Sequence, residues 1–188
     1  MQQNNQNIIR MRKRLFLLLL AFISLCQMNA VERTKLNFNG GWLLKVGDFP
    51  GAEQANYKDA GWKQITLPRA FNEKEAFKVS IEHLSDTIMW YRKHFHIQEV
   101  GDRKYFIEFE GVRYGADIWL NGKKVGYTEN GVMASGFDLT PYIIKGENVI
   151  AVRVDNSWNY RERTSGQRFQ WNDKNFNANY GGIPKNVF

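Results

Sequence analysis

The stretch from Ser157 to Ala178, SWNYRERTSGQRFQWNDKNFNA, interleaves Trp158, Tyr160, Phe169, Trp171 and Phe176 with Asn, Asp, Arg and Gln. Aromatic faces stack on the C–H surface of sugar rings, and short amides and carboxylates make paired hydrogen bonds to vicinal hydroxyls. The composition therefore suits a carbohydrate, which is bound by a few placed polar groups around an apolar surface. Packing is the competing reading, because a long loop lying over a folded body buries aromatics simply to be ordered. Both readings stay open for each ring. A second aperiodic stretch, Asn72 to Thr87, mixes charge with aromatics and reads as a long surface loop of the functional or mobile kind. Asn72 either contacts a sugar from this loop or caps a turn.

Other residue types that could do chemistry are weaker. Glu108 and Glu110 alternate on the outer face of a strand, and Glu129 and Glu162 fall in turns or loops with no partner indicated, so none of the four is expected to be catalytic. His94 and His96 lie two apart on a strand, a spacing that could chelate a metal. Catalytic zinc takes three protein ligands and no third is indicated, so the pair reads as part of an exposed strand face and no metal or other cofactor is expected. Cys26 is the only cysteine, which leaves no disulfide framework to stabilise the fold.

The elements that must hold these residues are strands. Tyr105 to Phe109 and Ala116 to Leu120 alternate apolar and polar residues with the period of a half-buried strand. Asn121 and Gly122 then supply the pair that best tolerates the positive φ angles of a two-residue type I′ turn, leading into Lys123 to Thr128. Met89 to Ile97 is a further strand, with Tyr91, Phe95 and Ile97 on one face and Trp90, Arg92, His94 and His96 on the other. Val149 to Val154 is another, with Ile150, Val152 and Val154 opposite Arg153. Trp62 to Pro68 reads as a short strand ending in LP, after a polar, turn-rich Gly47 to Lys58. Leu36, Phe38, Trp42 and Leu44 open the folded region, with Trp42 in the core. In FDLTPY, Phe137 to Tyr142, Thr140 is placed to cap a helical turn with Pro141 at its first position.

Ahead of this region, residues 1–14 are polar and basic, with Arg10, Arg12, Lys13 and Arg14. The apolar run Leu15 to Leu25 follows, 11 residues long and too short to span a bilayer core of about 30 Å as a helix. The pattern is that of a secretory signal peptide cleaved after Ala30. Cys26 raises lipid anchoring as an alternative, against which Leu25 stands where a small residue is normally needed. Removing residues 1–30 takes away four positive charges and no negative ones, leaving +3 of the formal +7. That charge is scattered among acids and gives no electrostatic footprint for nucleic acid. The remaining chain is long enough to bury one core without a covalent staple, so a single domain over 31–188 is expected.

Four motifs recur in one order: FEGV (Phe109 to Val112), ADIWLNG (Ala116 to Gly122), FDLT (Phe137 to Thr140) after a Gly-rich turn, and NVIAVRVDN (Asn148 to Asn156). In that order the region from Leu36 to Phe188 resembles the N-terminal sugar-binding domain of glycoside hydrolase family 2, which contains β-galactosidases, β-glucuronidases and β-mannosidases. The resemblance implies an all-β jelly-roll β-sandwich, galactose-binding-domain-like and mostly antiparallel. Its inner faces would be supplied by Tyr105, Ile107, Phe109, Ile118, Leu120, Ile150, Val152 and Val154. NYGGIPKNVF, Asn179 to Phe188, resembles the family's closing strand, and residues just before that strand reach the sugar nearest the scissile bond. Asp173, Asn175 and Asn177 stand there, with Trp171 beside them, and join Asn72 as the expected substrate contacts. Arg69, Ala70 and Phe71 depart from the His-Asp-Trp or His-Thr-Trp usual in the family.

Family hydrolysis uses two glutamates on a (β/α)₈ barrel in a retaining double displacement, and a barrel takes about 250 residues. No catalytic residue is therefore expected in this chain. The resemblance implies the N-terminal part of a longer exported enzyme, truncated before immunoglobulin-like and barrel domains and inactive alone. Its partners would be a β-linked glycan, most readily a β-galactoside, and those further domains, with homo-oligomerisation left open. A stand-alone carbohydrate-binding module and a surface domain without sugar affinity are the alternatives of another class.

Overall fold

A computed structural model describes residues 11–16, 33–70, 86–129, 131, 133–168 and 181–188. The chain divides into two compact units, Met1–Lys35 and Leu36–Phe188. In the first, residues 11–16 form a short helix, and among the described residues no helix is long and apolar enough to cross a membrane.

The second unit is built of strands: β1 (Trp42–Val46), β2 (Lys63–Ile65), β3 (Arg69–Ala70), β4 (Ile88–Ile97), β5 (Phe106–Phe109), β6 (Gly115–Leu120), β7 (Lys123–Thr128), β8 (Ser135–Asp138), β9 (Gly146–Asp155) and β10 (Gly182–Ile183). Six of them form one sheet in the order β2-β1-β4-β9-β6-β7, and every pairing is antiparallel. Val149, Ile150, Ala151, Val152 and Val154 are all buried, which loads both faces of β9 with apolar side chains. A strand of that composition is stable only where both faces are covered, and β9 lies between β4 and β6.

Across the core stand two short ribbons, β10-β3 and β5-β8, tied by isolated bridges from Phe109 to Val187 and from Arg113 to Gly182. One continuous apolar cluster fills the space between. The large sheet contributes Trp42, Leu44, Tyr91, Ile118, Leu120, Ile150, Val152 and Val154, and the ribbons contribute Ile107, Phe109, Ile183 and Val187. The two layers make the expected antiparallel β-sandwich. Trp42 is a core residue, with its indole N–H donated to the Phe38 carbonyl at 2.9 Å. Tyr105 packs against the cluster partly buried.

The Asn121-Gly122 turn forms as read. Both residues take positive φ, 52° and 78°, which lets two residues reverse the chain with the twist of the flanking strands. Asn121 also ties the hairpin down. Its side-chain N–H groups donate to the carbonyl of Tyr142 (3.0 Å) and the side chain of Asn148 (2.8 Å), and its oxygen accepts the Val149 N–H (2.9 Å).

Three expectations change. The face of β4 bearing Trp90, Arg92, His94 and His96 is exposed, as read, at His94 and His96, but its other half is covered, with Trp90 and Arg92 at 2% and 0% exposure. The segment 47–62 folds back over it, and Ala52, Trp62, Trp90 and Ala151 form a second apolar cluster with Phe49, Tyr57 and Trp119 against it. Arg92 is solvated by that segment instead of water. It donates to Asp59 at 2.8 Å, to the carbonyls of Ala52 and Gln54, and stands 5.5 Å from the Tyr57 ring. A polar composition over 47–58 reads as solvent-facing, but main-chain carbonyls are equally good acceptors for a guanidinium. Likewise Asp117, on the polar side of its strand pattern, is only 8% exposed. Thr140, finally, does not cap a helix: its hydroxyl accepts the Tyr105 N–H (2.9 Å), and Asp138 caps the turn by accepting the Thr140 N–H (2.8 Å). The side chain two residues earlier was the better placed acceptor.

Candidate functional site

The register brings four connections to one end of the sandwich. Ala70, where β3 stops, lies opposite Gly182, where β10 starts, and Gly182 exchanges main-chain hydrogen bonds with Arg113 (2.8 and 2.6 Å). Two residues on, Gly115 pairs with Asp155, the last residue of β9. Beside it, the Asn156 N–H donates to the Thr87 carbonyl (3.0 Å), and the Trp158 N–H donates to Asp86 (2.9 Å), just before β4. Ala116 pairs with Thr128, whose hydroxyl meets that of Ser135 at 2.8 Å. The connections β3 to β4, β5 to β6, β7 to β8 and β9 to β10 thus all open on the same rim.

Asn72 belongs to the first of these connections and Trp171, Asp173, Asn175 and Asn177 to the last. All five lie outside the described residues. The described flanks are informative even so: the two connections leave the sandwich next to each other at Ala70 and Gly182, and their other ends meet at Asp86 and Trp158. Residues about 100 positions apart in sequence are attached to one rim by strand pairing.

Gly182 shows why this rim needs glycine. Its φ is +100°, and a Cβ there would stand 2.1 Å from the Tyr91 hydroxyl oxygen, so any side chain would meet both backbone strain and a buried phenol.

The start of the last connection is held by charge. Arg163 forks onto Asp117 at 2.9 and 2.6 Å, and Lys124 reaches the same carboxylate at 2.7 Å. Burial works against the charge on Asp117, but Arg163 and Lys124 outweigh it and hold its carboxyl below the usual carboxylate range. Glu129, expected to be partnerless, accepts both the Tyr160 hydroxyl and the Arg163 N–H on one oxygen, each at 2.6 Å. Burial first, and then the Glu129 carboxylate, push the Tyr160 hydroxyl above its ordinary range, so it remains a proton donor at working pH. The Arg163 guanidinium also lies 4.7 Å from the Tyr127 ring. Sequence reasoning missed this cluster. The available signal was Asp117, an acid inside the otherwise apolar GADIWL strand.

The other carboxylates considered have structural partners. Glu110 accepts from Asn186 (2.8 Å), Glu162 accepts from Ser165 (2.7 Å), and Glu108 pairs through its main chain with Phe188. His94 is held by Asp59 at 2.8 Å and Glu147 at 2.7 Å, within a chain of charges that begins at Arg92. Among the described residues, no three or more His, Cys, Asp or Glu side chains gather as a metal ion would require.

An antiparallel two-layer sandwich with long connections gathered on one rim is a galactose-binding-domain-like fold. Residues 31–185 match the family model for the glycosyl hydrolase 2 galactose-binding domain-like region. The chain belongs to glycoside hydrolase family 2. It is 38% identical over 168 residues to a β-glucuronidase of Formosa agariphila, covering 84% of this chain and 17% of that protein. Against a β-galactosidase of Bacteroides ovatus it is 33% identical over 133 residues, covering 66% of this chain and 16% of that one. A solved family 2 β-glucuronidase superposes with a TM-score of 0.70 at 36% identity, over 85% of this chain and 18% of the other. The chain thus spans about a sixth of the length of these relatives.

Proposed function

We propose that this chain is the N-terminal sugar-binding lobe of an exported, retaining β-glycosidase, and that its rim forms one wall of a pocket completed by a catalytic barrel. The general acid and the nucleophile belong to that barrel, so the lobe alone hydrolyses nothing. Asn72, Trp171, Asp173, Asn175 and Asn177 contribute sugar contacts from the two neighbouring connections. Supporting this reading is the match of 84% and 66% of this chain to glycosidases of which it covers only 17% and 16%.

Between these two substrates, the β-glucuronide comes ahead of the β-galactoside expected from the family resemblance. The observation that favours it is coverage: the Formosa β-glucuronidase matches 84% of this chain at 38% identity, the Bacteroides ovatus β-galactosidase 66% at 33%. Export rests on residues 1–30, and the mature protein is expected to begin at Val31, which N-terminal sequencing of secreted material checks.

The test starts from the genomic reading frame after the codon for Phe188. The whole protein is expressed and assayed on p-nitrophenyl β-D-glucuronide and β-D-galactoside. Hydrolysis of the glucuronide at least tenfold faster is expected, and preference for the galactoside reverses the substrate order. If neither is cleaved while this chain alone binds a monosaccharide in the low millimolar range, a stand-alone binding module replaces the enzyme. In the active protein, Asn177→Ala, Asn175→Ala and Asp173→Ala are expected to cost about 2–4 kcal/mol of transition-state binding where the side chain holds a sugar hydroxyl. A change within about twofold for all three would remove this connection from the subsite.

A further inference from the structure

We propose that Glu129 and Asp117 are positioning residues, which fix Tyr160 and Arg163 as one foot of the connection carrying the proposed sugar contacts. This rests on the reading of that connection as part of a sugar subsite.

The two acids stand on the hairpin of β6 and β7, Asp117 in register with Tyr127 and Glu129 directly after Thr128. Both act on the same short segment, 160–163. Asp117 takes the side chain of Arg163, while Glu129 takes its N–H together with the Tyr160 hydroxyl. The Tyr160 ring lies against Gly115, where a Cβ would meet it at 2.1 Å, so the backbone of β6 is the floor of the clamp. Beyond Arg163 the chain closes a small turn of its own. Glu162 donates its N–H to Gln167 at 2.9 Å, Gly166 donates to Glu162 at 2.8 Å, and Arg161 bridges Arg168.

The opposite foot is Gly182, held by Arg113 on one side and paired with Ala70 on the other. Between Arg163 and Gly182 lie 18 residues. Side chains carried on a loop place hydroxyl-binding groups only as well as its ends are placed, and fixing the ends before binding removes ordering cost at the moment of binding. The bonds are of the strong kind: a bidentate guanidinium–carboxylate pair and two short bonds to one carboxylate oxygen. Since they lie on the strand hairpin and not on the connection itself, they are the part of the enzyme's rim that the sandwich core can hold rigid.

Glu129→Ala, Glu129→Gln and Tyr160→Phe test this while leaving the buried Asp117 carboxylate paired with Arg163 and Lys124. On this chain, amide hydrogen exchange of residues 160–163 is expected to quicken about tenfold in Glu129→Ala, with Tyr160→Phe in the same direction. Glu129→Gln, whose amide oxygen still accepts both bonds, should stay near wild type, and β4 and β9 should not change. Unchanged exchange in Glu129→Ala would overturn the clamp. In the whole protein, Glu129→Ala is expected to lower kcat/KM about tenfold, with recovery in Glu129→Gln. Faster exchange with unaltered kcat/KM would make the clamp structural only and overturn the positioning role. Wild-type protein inactive on both glycosides would remove the subsite reading itself, an outcome separate from the exchange result.

Discussion

A guanidinium kept from water needs acceptors on every side, and Arg92 finds them in one carboxylate and the carbonyls of Ala52, Gln54 and Ala55. Arg92→Met would keep much of the volume but leave Asp59 and these carbonyls without their donor. Breaking a buried pair in this way costs about 3–5 kcal/mol, expected as a lowered midpoint in urea unfolding, and a loss below about 1 kcal/mol would mean that water already reaches the site. His94 extends the same chain outward. Burial lowers its pKa, but hydrogen bonds with Asp59 and Glu147 outweigh this and raise it above 6.5. With the folded value above the unfolded one, His94 stabilises fully below pH 6.5, and the contribution is lost as pH rises through the raised value. The Tm difference between wild type and His94→Gln should therefore be largest in mildly acidic buffer and shrink toward alkaline pH. Arg92, Asp59, Glu147 and the neighbouring His96, with Lys45, Asp48 and Arg153 farther along the same face, are the charged or titratable groups that such a titration has to be read against. A difference constant with pH would show that the ring acts by packing alone.

The hairpin of β6 and β7 does two jobs at its two ends. At one end Asn121 and Gly122 reverse the chain, and at the other Asp117 and Glu129 hold the foot of the last connection. Asn121 is the residue whose type matters most for the turn, since it combines φ of 52° with three side-chain hydrogen bonds. Asn121→Ala is expected to cost about 2 kcal/mol, the sum of left-handed strain near 1 kcal/mol and the net loss of hydrogen bonding. Asn121→Gly, which removes the strain but not the lost bonds, should fall between the two, as thermal unfolding of the three proteins would show. Equal stability of the alanine and glycine variants would mean that the strain term is absent.

Across the whole sandwich, stability should follow the sheet order. β4 and β9 pair along ten residues and lie at the centre, whereas β2 and β7 are the edges. Amide exchange is therefore expected to be slowest in β4 and β9 and faster by orders of magnitude in β2 and β7, because edge strands open without global unfolding. Exchange in β7 as slow as in β9 would point to a cover on that edge. The rim proposed to face the sugar sits at the ends of these central strands, so its supports are drawn from the most stable part of the molecule while the contact residues are left to the connections.

By itself the sequence determined what local periodicity and turn chemistry can specify. The strand positions, the Asn121-Gly122 hairpin, the core set from Ile107 to Val154, Trp42 and the membership of a glycoside hydrolase family all followed from residues within a few positions of one another or from motifs in fixed order. The expected sugar contacts at Asn72, Trp171, Asp173, Asn175 and Asn177 came from the same source, and what the fold adds to them is the shared rim from which their connections leave. Only the tertiary structure decided which charges meet. Arg92 finds Asp59 33 residues away, and Arg163 finds Asp117 46 residues away. No period links such partners, because an ion pair is fixed by how strands stack and loops fold back, and the sequence records only that a charge stands on a strand. That is why Arg92 read as surface and Glu129 as partnerless, when the fold had put an acceptor beside one and two donors beside the other.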